Sequence, residues 1–296
     1  MVRVIDPKRT YAPGLYPRGS IDYGAVKAVN FSTLKHMAHS PKRYRYRLRH
    51  GGPETDGMRF GNSAHTAVLE PNRFMTHYAM FVPPADEKTG KKKSDRRGTK
   101  AWDAFAKENE GKTIVKQPEY MRALELRDAV RSDPAAMKYL EIGQPEVAMV
   151  WVDQETGLLC KGRVDWISDD PADTIVDLKS SGDVVPFNFG RTAARLLYHW
   201  QVSFYADGYE VITGRPAAFK VVAVEQEGPH DVVVYNMPDE VLDIGRDEYR
   251  KRLLQLKDCL ETNAWPGYAN GAEMDFCLPA WLTQAEDELQ ELGLEM

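Results

Sequence analysis

Hydrophobic and polar positions divide this chain into a helical first part, a strand-rich middle and a helical end. Residues 1–28 carry several Gly, Pro and Tyr and read as an irregular arm. Thr33 to Ala38 has helical spacing, with Ser32 as its cap. Ser40-Pro41 then predicts an N-cap followed by proline at the first helical position, and Gly51-Gly52 stops that helix. A short third helix runs from about Asn62 to Glu70 and ends at Pro71. Residues 83–98 are rich in Pro, Gly and charge, which predicts a mobile loop. Helical spacing returns at about 100–109, 118–132 and 134–141.

From Val147 the period becomes that of a strand. Val147, Met149 and Trp151 alternate with Ala148, Val150 and Val152. Asp153 to Gly157 is a turn, and Leu158 to Ile167 returns as a second strand of a hairpin. Ser168 to Pro171 leads into a third strand, Asp173 to Lys179. One helix is predicted from about Arg191 to Val211, ending near Gly214. Two strands, Phe219–Val224 and Val232–Tyr235, precede a long helix from about Asp239 to Glu261. Strands grouped mid-chain with helices on both sides predict a single α/β domain over 29–296, with a central mixed sheet.

Composition narrows the class without naming a function. With 296 residues, 43% apolar and 28% charged, the chain suits a soluble globular protein with a sizeable core. No run is long and apolar enough for a membrane span or a secretory signal, so a cytoplasmic protein without a membrane partner is expected. Cys160, Cys259 and Cys277 lack paired spacing, which argues against a disulfide framework, a zinc site or a four-cysteine cluster. The net charge of −5 neither advertises nor excludes nucleic acid, because a local basic face decides that.

Chemistry concentrates in the strands. Residues two apart share a face, so Lys161, Arg163 and Asp165 point one way on the second strand, and Asp177 and Lys179 do so on the third. If the polar faces coincide, two carboxylates and a lysine meet. Like charges held close raise each other's pKa, and burial adds a desolvation cost. A divalent cation removes both penalties, and hard oxygen ligands suit Mg2+ or Mn2+. Such an ion can polarise a phosphoryl oxygen and activate water, and a lysine can orient that water or offset developing charge. By spacing alone, the trio reads equally well as a solvated sheet edge with an Asp–Lys ion pair.

The sequence resembles the PD-(D/E)xK nuclease superfamily in Gly162-Arg163-Val164-Asp165-Trp166 and Ile175-Val176-Asp177-Leu178-Lys179-Ser180. Val164 stands where the literal motif has proline, as in the branch with G-R-x-D. Lambda exonuclease and RecB-type members add an upstream histidine and a Q-x-x-x-Y, matched by Gly61-Asn62-Ser63-Ala64-His65 and by Gln201 to Tyr205. A narrower similarity, to the RecE-type C-terminal nuclease of exodeoxyribonuclease VIII, covers about residues 23–282. It rests on Ser32-Thr33-Leu34, Ser40-Pro41, Phe60 to His65, Val68 to Pro71, Trp265-Pro266-Gly267-Tyr268 and Leu278-Pro279-Ala280-Trp281.

The resemblance implies a restriction-endonuclease-like fold with catalytic Asp165, Asp177, Lys179, Gln201 and Tyr205. It implies one or two Mg2+ or Mn2+ ions held by His65, Asp165, Asp177 and the Leu178 backbone carbonyl, with Glu146 as an outer-shell candidate. It further implies 5′→3′ exonucleolysis at double-stranded DNA ends, giving 3′ tails for recombination. A ring-shaped homo-oligomer, trimer or tetramer, and a single-strand annealing partner belong to the same expectation. Arg163, Arg43, Arg47 and Ser32 are candidate DNA contacts, although the helix carrying Arg43 and Arg47 reads equally as a solvated amphipathic one. The basic residues of the 83–98 loop read as a solvated surface that could add non-specific affinity. Alternatives are an endonuclease or single-strand nuclease on the same fold, or an inactive DNA-binding module.

Overall fold

Asp153 and Gly157 fold the middle of the chain into a hairpin. The Asp153 carboxylate accepts hydrogen bonds from Thr156 N–H (2.9 Å) and Thr156 Oγ1 (2.6 Å). Gly157 takes φ 70°, a left-handed conformation open to glycine at little steric cost. This is a computed structural model, and residues 11–85, 94–170 and 172–278 are described.

The chain opens with β1 (Gly14–Tyr16), β2 (Val29–Asn30), α1 (Phe31–Leu34), a 3-10 turn (Lys35–Ala38) and α2 (Pro41–His50). Next come α3 (Asp56–Leu69), α4 (Pro71–His77), β3 (Tyr78–Phe81), α5 (Lys100–Glu108) and β4 (Thr113–Lys116). Then follow α6 (Gln117–Ser132), α7 (Pro134–Leu140) and three strands, β5 (Gly143–Val152), β6 (Leu159–Ser168) and β7 (Ile175–Ser181). The remainder is α8 (Pro186–Leu196), α9 (Tyr198–Thr213), β8 (Phe219–Glu225), β9 (Val232–Asn236) and α10 (Asp239–Thr262).

The main sheet has the order β1-β5-β6-β7-β8-β9, with β2 alongside β6. It is mixed, because β7–β8 and β2–β6 are parallel while the other pairs are antiparallel. Helices cover both faces. One apolar core packs Met149, Trp151, Cys160 and Val221 against α9 and α10 (Phe204, Tyr209, Tyr249, Leu253). The other packs Trp166, Val176, Leu178 and Val222 against α3 and α6 (Ala64, Val68, Leu126, Val130).

Several elements depart from the sequence reading. Part of the stretch read as an irregular arm joins the sheet, since β1 pairs with β5 through Gly14↔Val150. Asn30, not Ser32, caps the first helix: its Oδ1 accepts from Thr33 N–H (2.9 Å) and from Ser32 Oγ (2.7 Å). Thr55 Oγ1 accepts from Met58 N–H at 3.1 Å, so α3 starts well before Asn62. The helix ends before Pro71 as expected, and Pro71 in addition opens α4 at its first position. The single helix expected over 191–211 is two, broken at Leu197, whose φ is 61°. The short parallel pair β3–β4 was not anticipated, four residues being too few to show a period. Residues 1–10 of the arm, 86–93 of the expected loop and 279–296, including Pro279-Ala280-Trp281, lie outside the described residues.

Candidate active site

The face alternation of β5 and β6 slips at one place. Val147 and Val164, which face each other, pack in the α9–α10 core, whereas Trp166 packs in the α3–α6 core. Between the pairs Val147↔Val164 and Pro145↔Trp166, the facing positions Glu146 and Asp165 drop out of the ladder. Glu146 takes φ 54°, a strained left-handed conformation for a residue with a side chain. The β6–β7 ladder is brief as well, with only Trp166↔Val176 and Ile167↔Ile175. The two strands therefore fork just where the sequence places Asp165 and Asp177.

A side chain bridges the fork. Asp165 Oδ2 accepts a hydrogen bond from Leu178 N–H at 2.8 Å. From α3, His65 places Nδ1 at 3.4 Å from the same oxygen. Asp177 is 3% exposed on a strand otherwise buried over Ile175–Leu178, and Lys179 Nζ makes an ion pair with its Oδ2. Asp177 Oδ2 is buried, and among the described residues Lys179 is the group that meets it. Such an oxygen carries a desolvation cost that a cation can relieve.

Electrostatics separate the two carboxyls. Burial pushes Asp177 up, Lys179 opposes this, Asp165 adds to it, and the net direction is up. Burial acts the same way on Asp165, but His65, Lys179 and the Leu178 N–H outweigh it, and that carboxyl lies below its ordinary value. Burial works against the charge on Lys179, yet Asp177 and Asp165 hold its ammonium form more firmly than in water. For His65, burial is outweighed by Asp165 and the imidazole is pushed up. The cluster thus sets two carboxyls against a lysine and an imidazole, each biasing the others' protonation.

From the opposite layer α9 brings Tyr205 and Gln201. Tyr205 is 8% exposed and packs on Gly162, where an added Cβ would stand 2.8 Å from its ring. Burial raises the Tyr205 hydroxyl, Gln201 draws it back, and both aspartates add to the rise. Tyr198 places its ring under Lys179 Nζ, 4.8 Å from the centroid. The sequence reading missed Tyr198, although Tyr198, Gln201 and Tyr205 share one helical face by spacing.

Glu146 begins a chain of alternating charge beside the fork. Its Oε2 meets Arg163 Nε at 2.9 Å and Arg18 Nη1 at 3.3 Å, and Arg18 reaches Glu70 Oε1 at 2.6 Å. Arg163 also lies over the Tyr23 ring, 5.3 Å from the centroid. Lys161 turns away from the carboxylates and donates to the carbonyls of Tyr23 (2.7 Å) and Val26 (2.8 Å), tying the arm to the sheet. Arg18, Tyr23 and Glu70 carried no periodic signal in the sequence.

The remaining candidates stand apart from the carboxylates. Arg43 projects from α2 as an exposed side chain, Arg47 is half-buried with Nη1 donating to the Gly51 carbonyl at 3.2 Å, and Ser32 is occupied with Asn30. Burial and then the cations Lys35, Arg47 and Arg43 push His36 down to about 4, so this corner is densely positive. Lys35, half-buried and repelled by Lys179, joins that corner to the carboxylate–lysine cluster.

The donor set fits a hard divalent ion in kind: two carboxylates from adjacent strands, that of Asp177 buried, and an imidazole. Among the described residues, no group of three or more His, Cys, Asp or Glu side chains is gathered closely enough to hold a metal as it stands. Asp165 and Asp177 instead engage His65, Leu178 N–H and Lys179.

Residues 30–277 match the family described as a PDDEXK-like domain of unknown function (DUF3799). The chain belongs to this PDDEXK-like family. A crystal structure from Eubacterium rectale, named a "putative exonuclease", aligns with a TM-score of 0.54 at 16% identity, covering 87% of this chain and 93% of that one. At that identity the likeness concerns the fold, which is restriction-endonuclease-like, as expected from the sequence. No curated protein matches. PDDEXK nucleases usually use divalent metal ions. No helix among the described residues is long and apolar enough to cross a membrane.

Proposed function

We propose that this PDDEXK-like protein is a metal-dependent DNA exonuclease that degrades double-stranded ends 5′→3′ and leaves 3′ tails. The supporting observation is the convergence of His65, Asp165, Asp177 and Lys179 at the β6–β7 fork, with the buried Asp177 carboxylate paired to Lys179. Asp165, Asp177, His65 and the Leu178 carbonyl would hold one or two Mg2+ or Mn2+ ions, which supply Lewis acidity toward a phosphodiester.

The chain's own residues do the rest. Lys179, kept as an ammonium, orients water and neutralises charge that develops on the phosphoryl oxygens. The Leu178 N–H fixes the rotamer of Asp165, which sets its spacing from Asp177. Gln201 and Tyr205 line the site from α9, and the half-exposed Arg163 guanidinium meets a phosphate. Arg43, Arg47 and Ser32 contact the strand beyond it. Polarity, preference for duplex ends, a ring-shaped homo-oligomer and a single-strand annealing partner form the finer part of the proposal.

A linear duplex labelled at one 5′ or one 3′ end, with closed circular DNA alongside, tests it in the presence of Mg2+ or Mn2+. Nucleotides released from the 5′ end, with the circle intact, are expected. Asp177→Asn and Lys179→Ala should abolish release, and undiminished activity in either sinks the assignment.

A further inference from the structure

The helix that follows the catalytic strand carries an unusual surface. Phe187, at the start of α8, is 72% exposed, and neighbouring Val185 is 56% exposed. One turn on, the Arg191 guanidinium stacks over the Phe187 ring, 5.7 Å from its centroid. Asn188, Arg191, Thr192 and Arg195 line a shallow depression on the same helix. No acidic residue occurs between Asp183 and Asp207, and neither arginine forms an ion pair among the described residues. This surface adjoins the site: two residues beyond the end of α8 stands Tyr198, with its ring against Lys179.

We infer that α8 binds an unpaired nucleic-acid strand, with Phe187 stacking on a base and Arg191 and Arg195 meeting its phosphates. The inference rests on the nuclease reading and deepens it: the strand beside the cleavage site is held single, its bases splayed from their partners. An aromatic face among unpaired cations is what single-strand binding requires, because every base has a stacking face and every nucleotide a charge. A second copy of this chain fits the surface less well. Three apolar side chains, Val185, Phe187 and Leu196, are far below the area of a stable protein interface, and the flanking cations would face themselves across a two-fold axis.

The test uses a labelled oligothymidylate of about ten nucleotides and an abasic strand of equal length, without divalent ions. Anisotropy reads affinity and sedimentation reads assembly. Wild type should bind the thymidylate about tenfold more tightly than the abasic strand. Phe187→Ala should lose that preference and Phe187→Trp restore it. Arg195→Ala should weaken both strands alike and reduce the salt slope by about 0.7. An equal effect of Phe187→Ala on both strands, no effect on either, or an altered assembly with unchanged affinity would each overturn the inference. Nucleotide release by wild type, measured separately with Mg2+, decides the nuclease reading. Absent hydrolysis with Phe187-dependent binding intact would sink that reading and leave this one standing.

Discussion

Asp165 accepts a hydrogen bond from the backbone N–H of Leu178, the residue between Asp177 and Lys179, at 2.8 Å. The regular ladder between these strands stops at Trp166↔Val176, so a carboxylate takes over where the backbone pairing ends. One side chain therefore serves the fold and the candidate chemistry together.

Substitutions at Asp165 should separate those two duties. Asp165→Asn keeps an acceptor for Leu178 N–H and should lose nuclease activity with little change in stability. Asp165→Ala leaves that N–H without its partner and should cost a further ~1–3 kcal/mol. Urea unfolding of both variants measures the difference. Equal midpoints for Ala and wild type would show that the bond does not hold the fork.

Glu146 offers the reverse case. Its left-handed backbone, at φ 54°, suits glycine better than glutamate. Glu146→Gly should keep or raise stability, by up to about 1 kcal/mol, while activity falls about tenfold or more as Arg163 loses its partner. Parallel thermal melts and nucleotide-release rates check it. A protein with unaltered activity would remove Glu146 from the site.

At Gly162 the constraint is steric. Alanine there would bring Cβ within 2.8 Å of the Tyr205 ring, in a region with no free space. Gly162→Ala should destabilise by about 1–3 kcal/mol, and adding Tyr205→Leu should recover part of that loss. The double-mutant cycle gives the coupling, and strict additivity would count against the close approach.

Acid sensitivity should come in part from Asp207, remote from the carboxylate pair. Burial raises its carboxyl, but Arg246, Tyr249 and Arg250 outweigh that and hold it below the ordinary value of 3.8. Arg246 Nε donates to both carboxylate oxygens at 3.0 Å, and Arg250 Nη2 donates at 3.1 Å. A depressed folded-state pKa stabilises the protein above the unfolded value, and the gain is lost as pH falls through the folded value. Asp207→Asn should therefore cost about 2 kcal/mol at neutral pH and flatten the decline of stability below about pH 4. Unfolding midpoints from pH 3 to 7 test the sign.

The sequence revealed Asp177 and Lys179 because their spacing on one strand survives any tertiary arrangement. It also placed the hairpin, β8, β9, α10 and the Ser40 cap, all of which depend on local period or turn chemistry. Asp165 was found for an incomplete reason: strict alternation puts it with Arg163, but the slip at Glu146 and Asp165 reorders the faces. Such a slip leaves no trace in hydrophobic period. The break before Tyr198 was missed because a left-handed leucine is improbable, and an unbroken helix fits the same letters. Arg18 and Tyr23 lie in a segment whose position is dictated by Lys161 and Glu146, far along the chain.

The break at Leu197 has a consequence for how this protein can diversify. In a continuous helix, inserting one residue rotates everything beyond it by roughly 100°. Here a single joint lies between the helix presenting Phe187 and the one carrying Gln201 and Tyr205. Changes in length upstream of that joint can re-aim α8 while α9 keeps its seat on Gly162. Relatives could thus acquire different substrate preferences through α8 while retaining the same reaction centre.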